Sequence, residues 1–243
     1  MSGLYRFNKW LWGSLDWLFP PVCGGCNRKG FRWCPDCQKQ VIHVPDPVCQ
    51  CCGLPLSSPG LCPTCQESQP PYNAVRSWAV FEGPIRKAIH SLKYGRNVAL
   101  GDALAPYLAG YSCKLGWQVD LVVPVPLGRQ RMKERGYNQV GLLAMPLAAI
   151  REWFYSPQVL VRMRETRSQV GLSPSERMEN MSGAFHAEPK LVAGKTILLV
   201  DDVVTTGATL AACSEALVIA GAKDIYALTL ARALPHHGLQ IVR

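Results

Sequence analysis

Hydrophobic residues are distributed differently in three stretches of this chain. The first nineteen residues carry Leu4, Phe7, Trp10, Leu11, Trp12, Leu15, Trp17 and Leu18 at spacings that predict a short amphipathic, aromatic-rich helix. A cysteine-rich segment without helical or strand periodicity follows. From Pro70 onward, strand-like and helix-like patterns alternate. Asp120–Pro126 (DLVVPVP), Val159–Arg162, Thr196–Val200 (TILLV) and Asp224–Leu230 (DIYALTL) predict strands. Ile85–Leu92, Val98–Leu108, Gln139–Trp153 and Ala208–Ala220 predict helices. Near-continuous apolar runs such as LLV and LVV suit strands buried on both faces, so this part predicts an α/β fold around a parallel sheet. Ligands of such sheets bind outside the carboxyl ends of the strands.

Composition sets limits on this picture. With 243 residues, 48% apolar and 18% charged, the chain can build a core and is not wholly disordered. No apolar run is long enough to cross a bilayer as a helix. The net charge is +9, and residues 71–191 hold most of it, with sixteen Lys and Arg against nine Asp and Glu. An anionic partner would be drawn to that segment. A solvated basic face is the plainer reading of the same charge.

Nine of the eleven cysteines lie between Cys23 and Cys65. Eight of them form four C-x2-C pairs: Cys23 and Cys26, Cys34 and Cys37, Cys49 and Cys52, Cys62 and Cys65. The N-terminal stretch has Arg6, Lys9 and Asp16 inside it and no small-residue cleavage site, so it does not read as a secretory signal. A reducing compartment, the cytoplasm, and metal binding fit better than disulfides. Tetrahedral Zn²⁺ takes four thiolates at a structural site, so eight cysteines predict two zinc ions. Pairing along the chain is the simplest partition; a cross-braced one, first pair with third and second with fourth, is also compatible with the spacing. Cys51 reads as a spectator. Each unit is too short for a core of its own, so zinc would supply most of the folding free energy of residues 20–68. A net charge of +2 over residues 1–70 favours a structural platform over a nucleic-acid reader. The N-terminal arm suits packing on its own protein, with peripheral membrane contact as the other reading.

The most informative segment runs from Ile197 to Leu210, ILLVDDVVTTGATL. A hydrophobic strand ends in Asp201 and Asp202, and a loop of Thr205, Thr206 and Gly207 opens a helix at Ala208 and Thr209. The start of a helix offers unpaired backbone N–H groups and partial positive charge, which suits a phosphate. The threonine hydroxyls add donors, and glycine permits close approach of the backbone. Neither a G-x4-G-K-[ST] nor a G-x-G-x-x-G sequence occurs. The five histidines are scattered, and no Ser/His/Asp or Cys/His set stands out.

VDDVVTTGATL resembles the phosphoribosyl pyrophosphate (PRPP) fingerprint of type I phosphoribosyltransferases. Placed behind a double zinc module, it is similar to the ComF/GntX family, proteins associated with competence and DNA utilisation. Val123–Leu127 leading into Arg135-Gly136-Tyr137-Asn138-Gln139, Thr166-Arg167-Ser168-Gln169, and Arg177-Met178-Glu179-Asn180 with Ala184-Phe185 extend the resemblance over roughly Pro20 to Arg232. It implies an arm at 1–19, a double zinc ribbon at 20–68 and a phosphoribosyltransferase-like domain at 70–243. Asp201 and Asp202 would contact the ribose hydroxyls, and Thr205, Thr206, Gly207, Ala208 and Thr209 would cradle the 5′-phosphate. Pro124, Val125, Pro126 and Arg129 would belong to the loop facing pyrophosphate. Residues 163–182, with Thr166, Gln169 and Arg177, would form a flap. Arg129, Arg131, Lys133, Arg135, Arg162, Arg164 and Arg167 are cationic candidates, with Mg²⁺ arriving on the phosphates. Lys93 is a further phosphate candidate, its plainer reading an exposed lysine at a helix end.

The function implied is Mg-dependent displacement of pyrophosphate from PRPP by an unknown acceptor, a glycosyltransferase reaction, in a protein of DNA uptake or use. The alternative is a non-catalytic PRPP-sensing adaptor that binds single-stranded nucleic acid or proteins of DNA uptake and recombination. The missing acceptor site favours the adaptor; the complete acidic pair and phosphate loop favour the enzyme. A stand-alone zinc nucleic-acid module fits least, since residues 20–68 offer only Phe31 and Trp33 as stacking platforms.

Overall fold

A computed structural model describes residues 20–164 and 183–234. The arm at 1–19 and the flap positions Thr166, Gln169 and Arg177 lie outside the described residues. Five parallel strands form one sheet in the order β1 (Ala74–Val80), β7 (Asp224–Arg232), β6 (Thr196–Val204), β2 (Leu121–Pro124) and β3 (Phe154–Tyr155). On one face lie α3 (Gly83–Tyr94), α4 (Leu100–Leu115) and α6 (Gln139–Arg151), packed on Val122, Leu198, Val200, Leu228 and Leu230. On the other lies α8 (Ala208–Ile219), packed on Val123, Ile197, Leu199 and Ala227. The α/β reading therefore holds, with both faces covered.

Packing between α4 and α6 uses leucines with no exposed surface, Leu100, Leu104, Leu108, Leu143 and Leu147. Each contributes about 1.5–3 kcal/mol by burial. Gly101 makes the close crossing feasible, because a β-carbon there would stand 2.4 Å from the Leu142 carbonyl oxygen.

Several elements differ from the pattern reading. Val159–Arg162 does form a strand, β4 (Leu160–Arg162), but it pairs antiparallel with β5 (Phe185–Ala187) outside the main sheet. Leu160 and Phe185 pack with Leu210, Cys213 and Leu217 of α8, so their apolar character comes from that small core. β6 runs through the acidic pair to Val204 instead of ending at Val200. α6 stops at Arg151, because Glu152 adopts a left-handed backbone (φ 58) and turns the chain into β3.

β1 was invisible to periodicity because Arg76 and Ser77 interrupt it. Ser77 meets the Thr229 hydroxyl at 2.7 Å inside the sheet, and Arg76 donates to the Cys49 and Gln50 carbonyls at 3.2–3.3 Å. α5 (Arg129–Arg135) buries none of its residues, so no apolar stripe marks it.

The cysteine-rich segment straddles β1, the edge strand. Cys23, Trp33, Cys34 and Cys37 join the core that includes Trp78 and Ile85, while Cys49, Cys51, Cys62 and Cys65 join the one that includes Tyr72 and Val75. Between these knots the chain occupies the open edge: Val75 N–H donates to the Cys51 carbonyl and Val80 N–H to the Ile42 carbonyl, both at 2.7 Å. An exposed edge is thereby covered.

Candidate functional site

Two sets of four sulfurs converge. Cys23, Cys26, Cys34 and Cys37 form one, Cys49, Cys52, Cys62 and Cys65 the other, each with its sulfurs within 4.8 Å of one another. The arrangement is sequential, not cross-braced. Measured separations are 3.7 Å for Cys23–Cys37, 3.6 Å for Cys26–Cys34 and 3.7 Å for Cys52–Cys62. Four bonds of about 2.3 Å in a tetrahedron place sulfurs roughly 3.8 Å apart, so both sets fit Zn²⁺. The turns are built for thiolates as well. Cys34 N–H points at the Cys23 sulfur and Cys62 N–H at the Cys49 sulfur, both at 3.3 Å. Short helices α1 (Pro35–Lys39) and α2 (Pro63–Glu67) begin at the third cysteine of each set, with proline at the first position, where a missing N–H costs nothing. Cys51 stands apart, its thiol facing the Tyr72 carbonyl at 3.8 Å.

At the carboxyl edge of the sheet, β6 delivers the acidic pair and the loop to α8. Side chains of neighbouring strand residues leave opposite faces, and the two acids have different surroundings. Asp202 is buried, 4% exposed. Its Oδ1 accepts from Lys93 Nζ and its Oδ2 from Gln139 Nε2, each at 2.7 Å. Asp201 is half-buried and accepts the Asp202 N–H at 2.8 Å.

The loop after Val204 leaves Thr205 and Thr206 exposed. Gly207 takes a left-handed backbone, φ 84, and as the N-cap of α8 has no side chain to offer its first N–H groups. Ala208 N–H donates a long hydrogen bond to Thr206 Oγ1 at 3.4 Å. Ala208 is buried and Thr209 half-buried on the first turn. Beside this loop, Val125 N–H donates to the Val200 carbonyl at 2.9 Å, which brings Pro124, Val125 and Pro126 to the same edge. Arg129 begins α5 just beyond, exposed together with Arg131 and Lys133.

The pattern reading undervalued two residues. Lys93 is not a free helix end, since its ammonium, with a side chain only 23% exposed, is an ion-pair partner of Asp202. Gln139 lies within the R-G-Y-N-Q stretch but had no role assigned; it also accepts from Arg135 Nη1 at 2.7 Å. A continuous polar chain, Arg135 to Gln139 to Asp202 to Lys93, thus ties the basic helix to the acidic pair. Only a pairing 109 residues apart reveals Lys93. Arg162 lies apart at β4, its guanidinium 5.7 Å over the Phe185 ring.

Burial and the neighbouring Asp202 charge push Asp201 up to about 7, against the lowering influence of Lys93 and the Asp202 N–H. The folded chain then keeps this proton up to about pH 7, whereas an unfolded aspartate releases it near ~3.9. Between those values the folded state binds more protons, so this group makes stability fall as pH rises. Asp201→Asn cannot ionise. Its melting temperature should match the wild type near pH 4 and exceed it at pH 8, read by circular dichroism. A variant no more stable at pH 8 would show that the carboxyl is ordinarily solvated.

Residues 14–66 match the double zinc ribbon domain, and residues 99–237 match the phosphoribosyl transferase domain. The chain is 34% identical over 219 residues to DNA utilization protein YhgH of Escherichia coli (strain K12), covering 88% of this chain and 91% of that protein. It is 32% identical over 211 residues to competence protein F of Haemophilus influenzae, covering 82% and 90%. Among solved structures it is similar to a glutamine PRPP amidotransferase from B. subtilis complexed with ADP and GMP, with TM-score 0.40 and 21% identity, covering 55% of this chain and 26% of that one.

Proposed function

We propose, for a chain that belongs to the ComF family of competence and DNA-utilisation proteins, that the carboxyl edge of the sheet binds PRPP and transfers its phosphoribosyl group to an acceptor. The observation that carries this reading is the start of α8 at the left-handed Gly207, flanked by exposed Thr205 and Thr206 and preceded within the same strand by Asp201 and Asp202. Backbone N–H groups at a helix start, with threonine hydroxyls beside them, suit the 5′-phosphate. The carboxylates suit ribose hydroxyls and the positive charge that develops at C1 as the bond to pyrophosphate breaks. Mg²⁺, riding on the substrate's own phosphates, would neutralise charge on the leaving group. Arg129, Arg131 and Lys133, exposed on α5 shortly after Pro124–Pro126, would supply the positive charge facing that leaving group. The electron pair of the C1–oxygen bond departs with pyrophosphate, and the acceptor supplies the new pair.

The exposed cations of α5 also support a second reading, a PRPP-sensing adaptor that holds single-stranded nucleic acid. Cysteine sets that fit zinc suit a reducing compartment, which supports a cytoplasmic location. Among the described residues no helix is long and apolar enough to cross a membrane.

Calorimetric titration with PRPP and Mg²⁺, followed by a screen for acceptors that release pyrophosphate, tests both readings. Saturable binding with acceptor-dependent release establishes the transferase. Binding without release, combined with salt-sensitive retention of single-stranded DNA, establishes the adaptor. No binding of PRPP defeats both.

A further inference from the structure

The second zinc knot reaches the phosphate loop by two routes. The first is Arg232, the last residue of β7. It is 4% exposed, yet its guanidinium points out of the sheet toward the knot, where Nη2 donates to the Cys52 carbonyl. Its Nε has no hydrogen-bond partner among the described residues. Its backbone pairs in register with Val204, the residue directly before Thr205, and the next N–H, that of Ala233, donates to the Val204 carbonyl at 2.9 Å. Gly53 lets the knot come this close, since a β-carbon there would stand 2.3 Å from the Val75 carbonyl and 3.6 Å from Arg232 Nη2.

The second route is Tyr72. It is 5% exposed, and its carbonyl faces the Cys51 thiol at 3.8 Å, between the knot's own ligands. Its hydroxyl stands 3.4 Å from the position a β-carbon on Gly207 would take, so the ring spans the distance from the knot to the phosphate loop. Among the described residues the first knot makes no such contact with the loop: Gly24 and Gly25 lie instead against Leu100 and Pro84, at the starts of α4 and α3.

We infer that the second zinc knot and the phosphate loop are coupled, with Arg232 and Tyr72 as the positioning residues that transmit the coupling. This rests on the reading of that loop as the cradle of the PRPP phosphate. A knot of this size holds its shape through its sulfurs. When it opens, the Cys52 carbonyl leaves a buried guanidinium and the Tyr72 ring loses its support. Val204 and Gly207, the two ends of the loop, then lose their fixed neighbours. Coupling between two binding equilibria is reciprocal, so PRPP must hold the second knot closed by the same factor that the closed knot strengthens PRPP. The first knot, which packs on the starts of α3 and α4 and not on the loop, should respond far less.

The test uses the full, zinc-loaded chain and a chelator selective for zinc over magnesium. Freed thiols are alkylated and located by peptide mass spectrometry, with and without saturating PRPP and Mg²⁺. PRPP should slow modification of Cys49, Cys52, Cys62 and Cys65 about tenfold or more and leave Cys23, Cys26, Cys34 and Cys37 unchanged. Arg232→Met should keep both metals, bind PRPP about tenfold more weakly and lose the selective protection. Tyr72→Phe should weaken both effects in part, and it serves alone should Arg232→Met fail to fold. Equal protection of both knots, or none, in a chain that binds PRPP would overturn the coupling and leave the site intact. A zinc-loaded wild type with no calorimetric PRPP binding would bring down the site reading and the coupling together.

Discussion

Removal of zinc should unfold residues 20–68 and, with them, release the edge of the main sheet. Each knot holds four sulfurs within 4.8 Å of one another, and besides the cysteines the segment adds only a few apolar side chains to the cores, Trp33 and the partly buried Val41, Leu54, Leu56 and Leu61. Structural zinc sites of this kind bind with an apparent ~10–16 kcal/mol near neutral pH, as much as a typical domain's whole stability of about 5–15 kcal/mol. Without the metal, four thiolates cannot stay charged at such short separations, and protonated thiols bond to backbone N–H groups only weakly. The Cys51 and Ile42 carbonyls would then leave the Val75 and Val80 N–H groups, exposing β1 as an unpaired edge. Metal analysis should give about two zinc ions per chain, from four thiolates each. After chelation, hydrogen exchange at Val75 and Val80 should rise by orders of magnitude, and the chain should aggregate through its edge. A metal-free chain with the same exchange pattern and melting temperature would mean that the knots fold on apolar packing alone.

This arrangement explains what the sequence could and could not reveal. Cysteine spacing announced the two knots, because tetrahedral thiolate geometry imposes a local pattern. It could not show that they sit on opposite faces of one strand, since that depends on contacts spread from Cys23 to Trp78. β6 and α8 were legible from a continuous apolar run followed by a glycine loop. β1 was not, because Ser77 and Arg76 are polar residues satisfied by distant partners, Thr229 and the Cys49 and Gln50 carbonyls. Lys93 shows the same limitation. Its charge reads as exposure until Asp202 is placed beside it, and pairing of this kind has no short-range signature. α5 escaped detection for the opposite reason, as it buries nothing and so lacks an apolar period.

Replacing Asp201 and Asp202 together with Ala should abolish PRPP binding while leaving the chain folded. Hydrogen bonds to charged groups contribute about 1.5–3 kcal/mol each, so losing both carboxylates weakens binding roughly 10²–10⁴-fold. The single variants separate the two acids. Asp201 is half-buried, hydrogen-bonded among the described residues to the neighbouring Asp202 N–H, and pushed up to about 7, so its loss relieves the ligand-free chain increasingly from about pH 4 and fully above about pH 7. Asp202 holds Lys93 and Gln139, and Gln139 is 3% exposed, so Asp202→Ala strands a buried amide at a cost of about 1–3 kcal/mol. Asp202→Asn retains an acceptor for Gln139 and should recover most of that stability without recovering affinity. Binding and folding are thereby distinguished at one position. Lys93 adds a further constraint: a sugar diol that reaches Asp202 must share its Oδ1 with the ammonium or displace it toward the phosphates. Lys93→Met should therefore weaken PRPP in the second case and strengthen it if the lysine merely competes. Unchanged affinity in the double alanine variant, measured by calorimetry on a folded, zinc-loaded chain, would remove the acidic pair from the site and leave the loop at Gly207 without a sugar to hold.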